Sequence, residues 1–130
     1  MSDYPDNALR ALPGASIGFQ WAPHYAVGWY QDIPAYTVAD LHFSDWEEGY
    51  TYTAALLSGY TNSTTHLRHW AYQNDFLFLE GYAAGGFAYP LAQGQLIRFV
   101  TGDELDFYIY NHRDITRTVE ACFMFYREAN

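Results

Sequence analysis

Lysine is absent from this chain, so all six of its permanently cationic side chains are arginines. That absence removes a Schiff-base amine and a Walker-type phosphate loop together. Cysteine is almost absent as well. Cys122 stands alone, which excludes an intramolecular disulfide and a multi-cysteine zinc site. Its apolar neighbours Ala121, Phe123, Met124 and Phe125 point to a buried thiol used as a small hydrophobe. Charge is scarce and one-sided: fifteen acids against six arginines give a formal net charge of -9. A balance of that sign repels phosphate, and Arg10, Arg68, Arg98, Arg113, Arg117 and Arg127 are too scattered to form a basic stripe. Nucleic acid and anionic membranes are therefore not expected partners. No run of about eighteen apolar residues is present, so no membrane helix is expected. The start, Met1-Ser2-Asp3-Tyr4-Pro5-Asp6, lacks the positive and apolar segments of a secretory signal.

Catalytic signatures are missing too. There is no Gly-x-Ser-x-Gly elbow, and Gly81-Tyr82-Ala83-Ala84-Gly85-Gly86 does not fit a dinucleotide fingerprint; it reads as a flexible turn before a strand Phe87-Ala88-Tyr89. His66 and His69 have metal-like spacing, with His24, His42 and His112 as conceivable third ligands. Residues three apart on a strand point to opposite faces, so the pair could not grip one ion. The His-x-His and Glu of the cupin family are absent. Asp45-Trp46-Glu47-Glu48-Gly49 lacks the alternating ligands of a calcium loop and reads as a solvated turn with an exposed or half-buried tryptophan. Asp40, Asp75, Glu80, Glu104 and Asp106 could supply paired carboxylates, although sequence does not give their separations. The expectation is a chain that is not an enzyme, with no catalytic residues, cofactor or metal.

What the chain does have is aromatic side chains: thirteen tyrosines, nine phenylalanines and four tryptophans in 130 residues. They fall in alternating runs such as Leu105-Asp106-Phe107-Tyr108-Ile109-Tyr110, the pattern of a half-buried strand. Strands are expected over 16–21, 25–30, 36–43, 50–57, 64–72, 76–82, 87–91, 95–101, 104–110 and 116–127. Ala54-Ala55-Leu56-Leu57 favours helix by propensity, but Tyr50-Thr51-Tyr52-Thr53 before it argues for strand, with Ser58-Gly59 ending the run. Val119, Ala121, Phe123 and Phe125 alternate with an almost equally apolar second face, as in a central strand or one packed on another subunit. No stretch sustains a helical period. The expected fold is all-β, an antiparallel jelly-roll-like sandwich or barrel: residues 1–14 form a short irregular N-terminal arm and 15–130 a single β domain.

Phe76, Phe78, Phe107, Phe123 and Phe125 are expected in the core. Tyr30, Tyr36, Tyr50, Tyr52, Tyr72, Tyr108, Tyr110, Trp46 and Trp70 exceed what one small core can hide, and their polar tips suit an interface. The candidate interface or glycan-stacking residues are Trp46, Tyr60, Trp70, Tyr72, Tyr108 and Tyr110. Several expected strands also lack charged guards, Tyr50 to Leu57 and Phe87 to Leu91 among them, so their edges call for cover.

The segment Gln95 to Ile109, with Gly102-Asp103 before an alternating strand, and the closing strand Val119 to Tyr126 resemble the late strands of small trimeric jelly rolls. Those are the tumour-necrosis-factor and complement-globular-head type and virus or phage decoration and fibre domains. The resemblance covers about a quarter of the chain and implies a jelly roll that trimerises and binds through its surface. The leading expectation is thus a non-enzymatic structural protein, a homo-oligomer such as a virion decoration or minor capsid subunit, at a virion surface and in contact with other structural proteins. The alternatives are a carbohydrate-binding module using exposed tryptophan and tyrosine, and a small cofactor-free β-barrel enzyme.

Overall fold

The computed structural model describes residues 24–91 and 96–130, and within them every regular element is a strand. The expected N-terminal arm and the strand expected over 16–21 lie outside these residues. Nine strands follow in order: β1 (His24–Ile33), β2 (Thr37–Phe43), β3 (Tyr50–Thr61), β4 (Leu67–Gln73), β5 (Phe76–Ala83), β6 (Gly85–Pro90), β7 (Arg98–Phe99), β8 (Leu105–Asn111) and β9 (Arg117–Ala129). They form two antiparallel sheets. One runs β1-β9-β3-β6, with β7 also paired to β3; the other runs β2-β8-β4-β5. The result is a jelly-roll-like sandwich. No helix among the described residues is long and apolar enough to cross a membrane.

Alternation puts one row of each strand inside. Leu105, Phe107 and Ile109 of β8 face Val119, Ala121, Phe123 and Phe125 of β9 across the sandwich, all buried, and the Phe107 and Phe123 rings meet edge to face at 5.4 Å. β9 is central, flanked by β1 and β3; on its outward row Cys122 and Met124 are half-buried while Glu120 and Tyr126 are exposed. Cys122 lies on the outward row of β9, half-buried rather than in the core, with Gly28 and Ser58 as its neighbours in register. Burial pushes its thiol pKa up, which disfavours the nucleophilic thiolate.

Three expectations about punctuation are corrected. Ser58-Gly59 does not end β3, which continues to Thr61; a Cβ at Gly59 would lie 2.2 Å from the Glu120 carbonyl oxygen and 2.6 Å from Phe87 Cζ, so glycine here admits a close approach of strands. The segment 81–86 is not a long turn. β5 and β6 are separated by Ala84 alone, and the chain crosses from one sheet to the other there, with Gly85 at φ 69°. The strand expected over 95–101 shrinks to Arg98–Phe99 among the described residues. Its hydrogen-bonding side of β3 is shared with β6, on either side of a bulge between Ala54 and Leu56; Leu91 N donates to the Ala55 carbonyl and Ala54 N to that of Ile97.

Among the phenylalanines, Phe107, Phe123 and Phe125 are buried as expected, but Phe76 is 48% exposed. It opens β5, which among the described residues is an edge strand paired with β4.

Candidate functional site

The outer face of the four-stranded sheet carries the side chains that alternation turns away from the core. In register across it, Asp40, Tyr108, Trp70 and Glu80 form one row, and His42, Asp106 and Tyr72 the next. The rings of Trp70 and Tyr108 stack at 5.4 Å with an interplanar angle of 15°, and Tyr72 stands edge-on to Tyr108 at 6.0 Å and 89°. These rings, with Asn74, Asp75, Glu104 and Asp106, line an open groove of about 390 Å³.

Short local geometry fixes its rim. Asn74, in the turn between β4 and β5, takes φ 54°, a left-handed conformation that asparagine tolerates. From there its backbone N donates to the Glu104 carbonyl, its Nδ2 donates to Asp103 Oδ1, and its Oδ1 accepts from Glu104 N. Two turns distant in sequence are thereby held as one wall, which brings Asp75 and Glu104 to the groove.

Carboxylates meet at its floor. His42 Nδ1 lies 2.8 Å from Asp106 Oδ1, and Asp40 hydrogen-bonds with Asp106. Asp40 Oδ1 itself is buried with no hydrogen-bond partner. Burial, then that hydrogen bond, then the negative charge of Asp106 push Asp40 up to about 7 from 3.8, against the opposing pull of His42. Tyr108 is also shifted upward, first by burial and then by Asp40 and Asp106, so its hydroxyl stays a donor. His42, Glu104 and Asp106 bring one ligand atom each within 4.8 Å of one another.

One aromatic surface is already in use. The Arg68 guanidinium sits 4.3 Å from the Trp70 ring centroid and donates to Glu80 Oε2 at 2.7 Å. Both partners of that ion pair are nearly half exposed, so it adds only about 0–1 kcal/mol to stability. Its consequence is positional, because it parks a cation on the Trp70 ring.

Of the six aromatic residues singled out from sequence, Trp70, Tyr72 and Tyr108 come together at the groove. Tyr110 lies on the same face one row farther on, beside His112 at 6.2 Å. Tyr60 is on the outer face of the other sheet, exposed, and opposite Glu120 and Gly86. Trp46 is a correction. It is 4% exposed, packed among Phe43, Tyr52, Phe99 and Phe125 with ring centroids 4.7 to 5.2 Å away, and its Nε1 donates to the Asp103 carbonyl at 3.0 Å. The acidic neighbours that suggested a solvated turn point outward while the indole plugs one end of the core.

The histidines separate as strand geometry requires. His69 is buried on the inner row of β4, stacked on Phe87, and burial lowers its pKa; His66 is exposed ahead of the strand. Sequence reasoning named Asp40, Asp75, Glu104 and Asp106 as acids without joining them, and gave His42 and Asn74 no place here. The available signal was the alternation of Asp40 with His42 and of Asp106 with Tyr108, which assigns these side chains to outward rows.

No family model matches the chain, and no curated protein matches it. Among solved structures it is similar to the N-terminal cellulose-binding domain of β-1,4-glucanase C from Cellulomonas fimi, at 15% identity over 84% of this chain and 80% of that one, with a TM-score of 0.31. At that score the likeness carries no argument about the site.

Proposed function

We propose that this chain is a binding module that takes a saccharide in the groove on the outer face of its four-stranded sheet. The observation that carries the reading is the joining of Trp70, Tyr72 and Tyr108 with Asn74, Asp75, Glu104 and Asp106 in that single groove. A sugar presents C–H surfaces and a rim of hydroxyls. Aromatic rings suit the first, and carboxylate and amide groups suit the second. Both are mounted on paired strands and a clamped turn, so little ordering is needed on binding. With Arg68 over Trp70, the indole serves as a wall, and Tyr72 supplies the ring next to the carboxylates.

The test is a panel of neutral and charged oligosaccharides and insoluble polysaccharides, read by calorimetry and pull-down. Binding is expected, and Trp70→Ala and Tyr72→Ala are each expected to weaken it at least tenfold with the fold intact. Retention of full binding by both variants would remove the groove from the reading, and absence of binding to every glycan would remove the reading itself.

A second reading, self-association as a structural subunit, draws on a different place. Where the edge strands β5 and β6 open between the sheets, Phe76, Leu77, Phe78, Leu79, Tyr89, Pro90, Leu91 and Ile97 line a largely apolar groove of about 360 Å³, and Phe76 and Leu77 are substantially exposed. β6 carries no charge and β5 only Glu80, and sparsely charged open edges favour pairing with another chain. Light scattering at micromolar concentration is expected to find an oligomer that Leu77→Lys dissociates; a monomeric parent chain would end this reading.

A further inference from the structure

We infer that the groove selects saccharides that carry a protonated amine, free amino sugars above their neutral, N-acetylated or carboxylated counterparts. The inference rests on the saccharide reading and adds the charge of the ligand to it.

At two places the fold satisfies the same combination of groups internally. Arg68 lies on the Trp70 ring and bonds Glu80. Arg127 lies 4.6 Å from the Tyr50 ring centroid and 3.5 Å from Glu47 Oε1. In both, a cation is held between the face of a ring and a carboxylate, where the ring quadrupole and the negative charge act together. The groove has the same ingredients in greater number. Tyr72 and Tyr108 provide the rings; Asp75, Glu104 and Asp106 provide the carboxylates, with Asp40 immediately behind. Yet no basic side chain is among the residues that line it, and His42, behind the lining, is already bonded to Asp106.

Asp40 and Asp106 stand in adjacent rows of paired strands on that face, and no donor of the chain reaches Asp40 Oδ1. A ligand ammonium would supply the missing charge and three donors. A neutral sugar hydroxyl would supply donors without charge, an N-acetyl group would remove the charge, and a uronate would add repulsion.

Calorimetry on the full chain, in mildly acidic buffer that protonates the amine, distinguishes these ligands. The probes are oligomers of glucosamine, N-acetylglucosamine, glucose and galacturonate of equal length. Glucosamine oligomers are expected to bind about tenfold tighter than glucose oligomers, the worth of one charge-assisted hydrogen bond, and galacturonate not at all. The advantage, read as the ratio of glucosamine to glucose affinity in each variant, should shrink with added salt and fall in Glu104→Gln and in Asp106→Asn. Equal binding of glucose and glucosamine oligomers, or binding of galacturonate, would overturn the charge selectivity and leave the saccharide reading standing. Failure of every oligomer to bind would overturn both.

Discussion

Two aromatic clusters in this molecule are built from the same residue types and behave as opposites. Around Trp46, indole, phenol and phenyl rings interlock at the closed end of the sandwich, and the single polar atom of the indole is satisfied by a backbone carbonyl. Around Trp70, the rings stand on the outer face of a sheet, with a guanidinium on one ring and carboxylates beside the others. The first cluster removes apolar surface from water on every side. The second is half wet and keeps carboxylate and amide groups beside the rings. What separates them is which row of a strand, or which connection, carries each tryptophan, and no difference in the side chains themselves. The lesson is that position in a strand row or a connection divides the rings of an aromatic-rich chain between a packed core and an exposed face.

The sharpest way to break this comparison is to truncate both tryptophans. Trp46→Ala is expected to cost about 3–5 kcal/mol, the range for emptying a packed aromatic site, measured by urea denaturation. Trp70→Ala is expected to cost no more than about 1 kcal/mol, because its ring is only half-buried and its Arg68 partner is a surface cation. Similar losses in both would abolish the distinction between core and surface cluster.

A smaller effect separates the two regions by pH. Asp40, on the groove side, has a folded pKa raised to about 7 from 3.8. The folded state thus holds a proton that the unfolded chain releases, and the stability it contributes is full below pH 3.8 and is lost as pH rises through about 7. His69, in the interior, has a folded pKa below its ordinary 6.5. Here the unfolded chain binds the extra proton, so the contribution is present above pH 6.5 and is lost as pH falls through the lower folded value. Denaturation curves across this range are expected to gain slope in opposite senses: Asp40→Asn should remove the decline toward neutrality, and His69→Phe the decline on acidification. Identical profiles for both variants and the parent chain would refute the assignment.

Much of the fold is legible because strand alternation is local. The inward row of β8 and the two apolar faces of the central strand β9 follow from the identities of adjacent residues. The limits of β3 were not legible, because Gly59 looks like a breaker until the close approach of Glu120 and Phe87 gives it a reason. Trp46 misled for a related cause. Its immediate neighbours are acidic, whereas its surroundings in space come from β2, β3, β7 and β9.

The candidate site divides along the same line. Sequence by itself determined that the chain is all-β and that it carries more aromatic rings than charges of either sign, and it set Trp70, Tyr72 and Tyr108 beside Trp46, Tyr60 and Tyr110 as candidates without separating them. Only tertiary structure decided that these three share one groove and that Tyr60 stands apart on the other sheet. It also decided which acids meet there. His42 and Asp106 are 64 residues apart in the chain, yet 2.8 Å apart in space. The reason is physical: alternation is written in neighbouring residues, but cross-strand register is set by pairing between distant segments, and the charge and pKa of the groove are properties of that register.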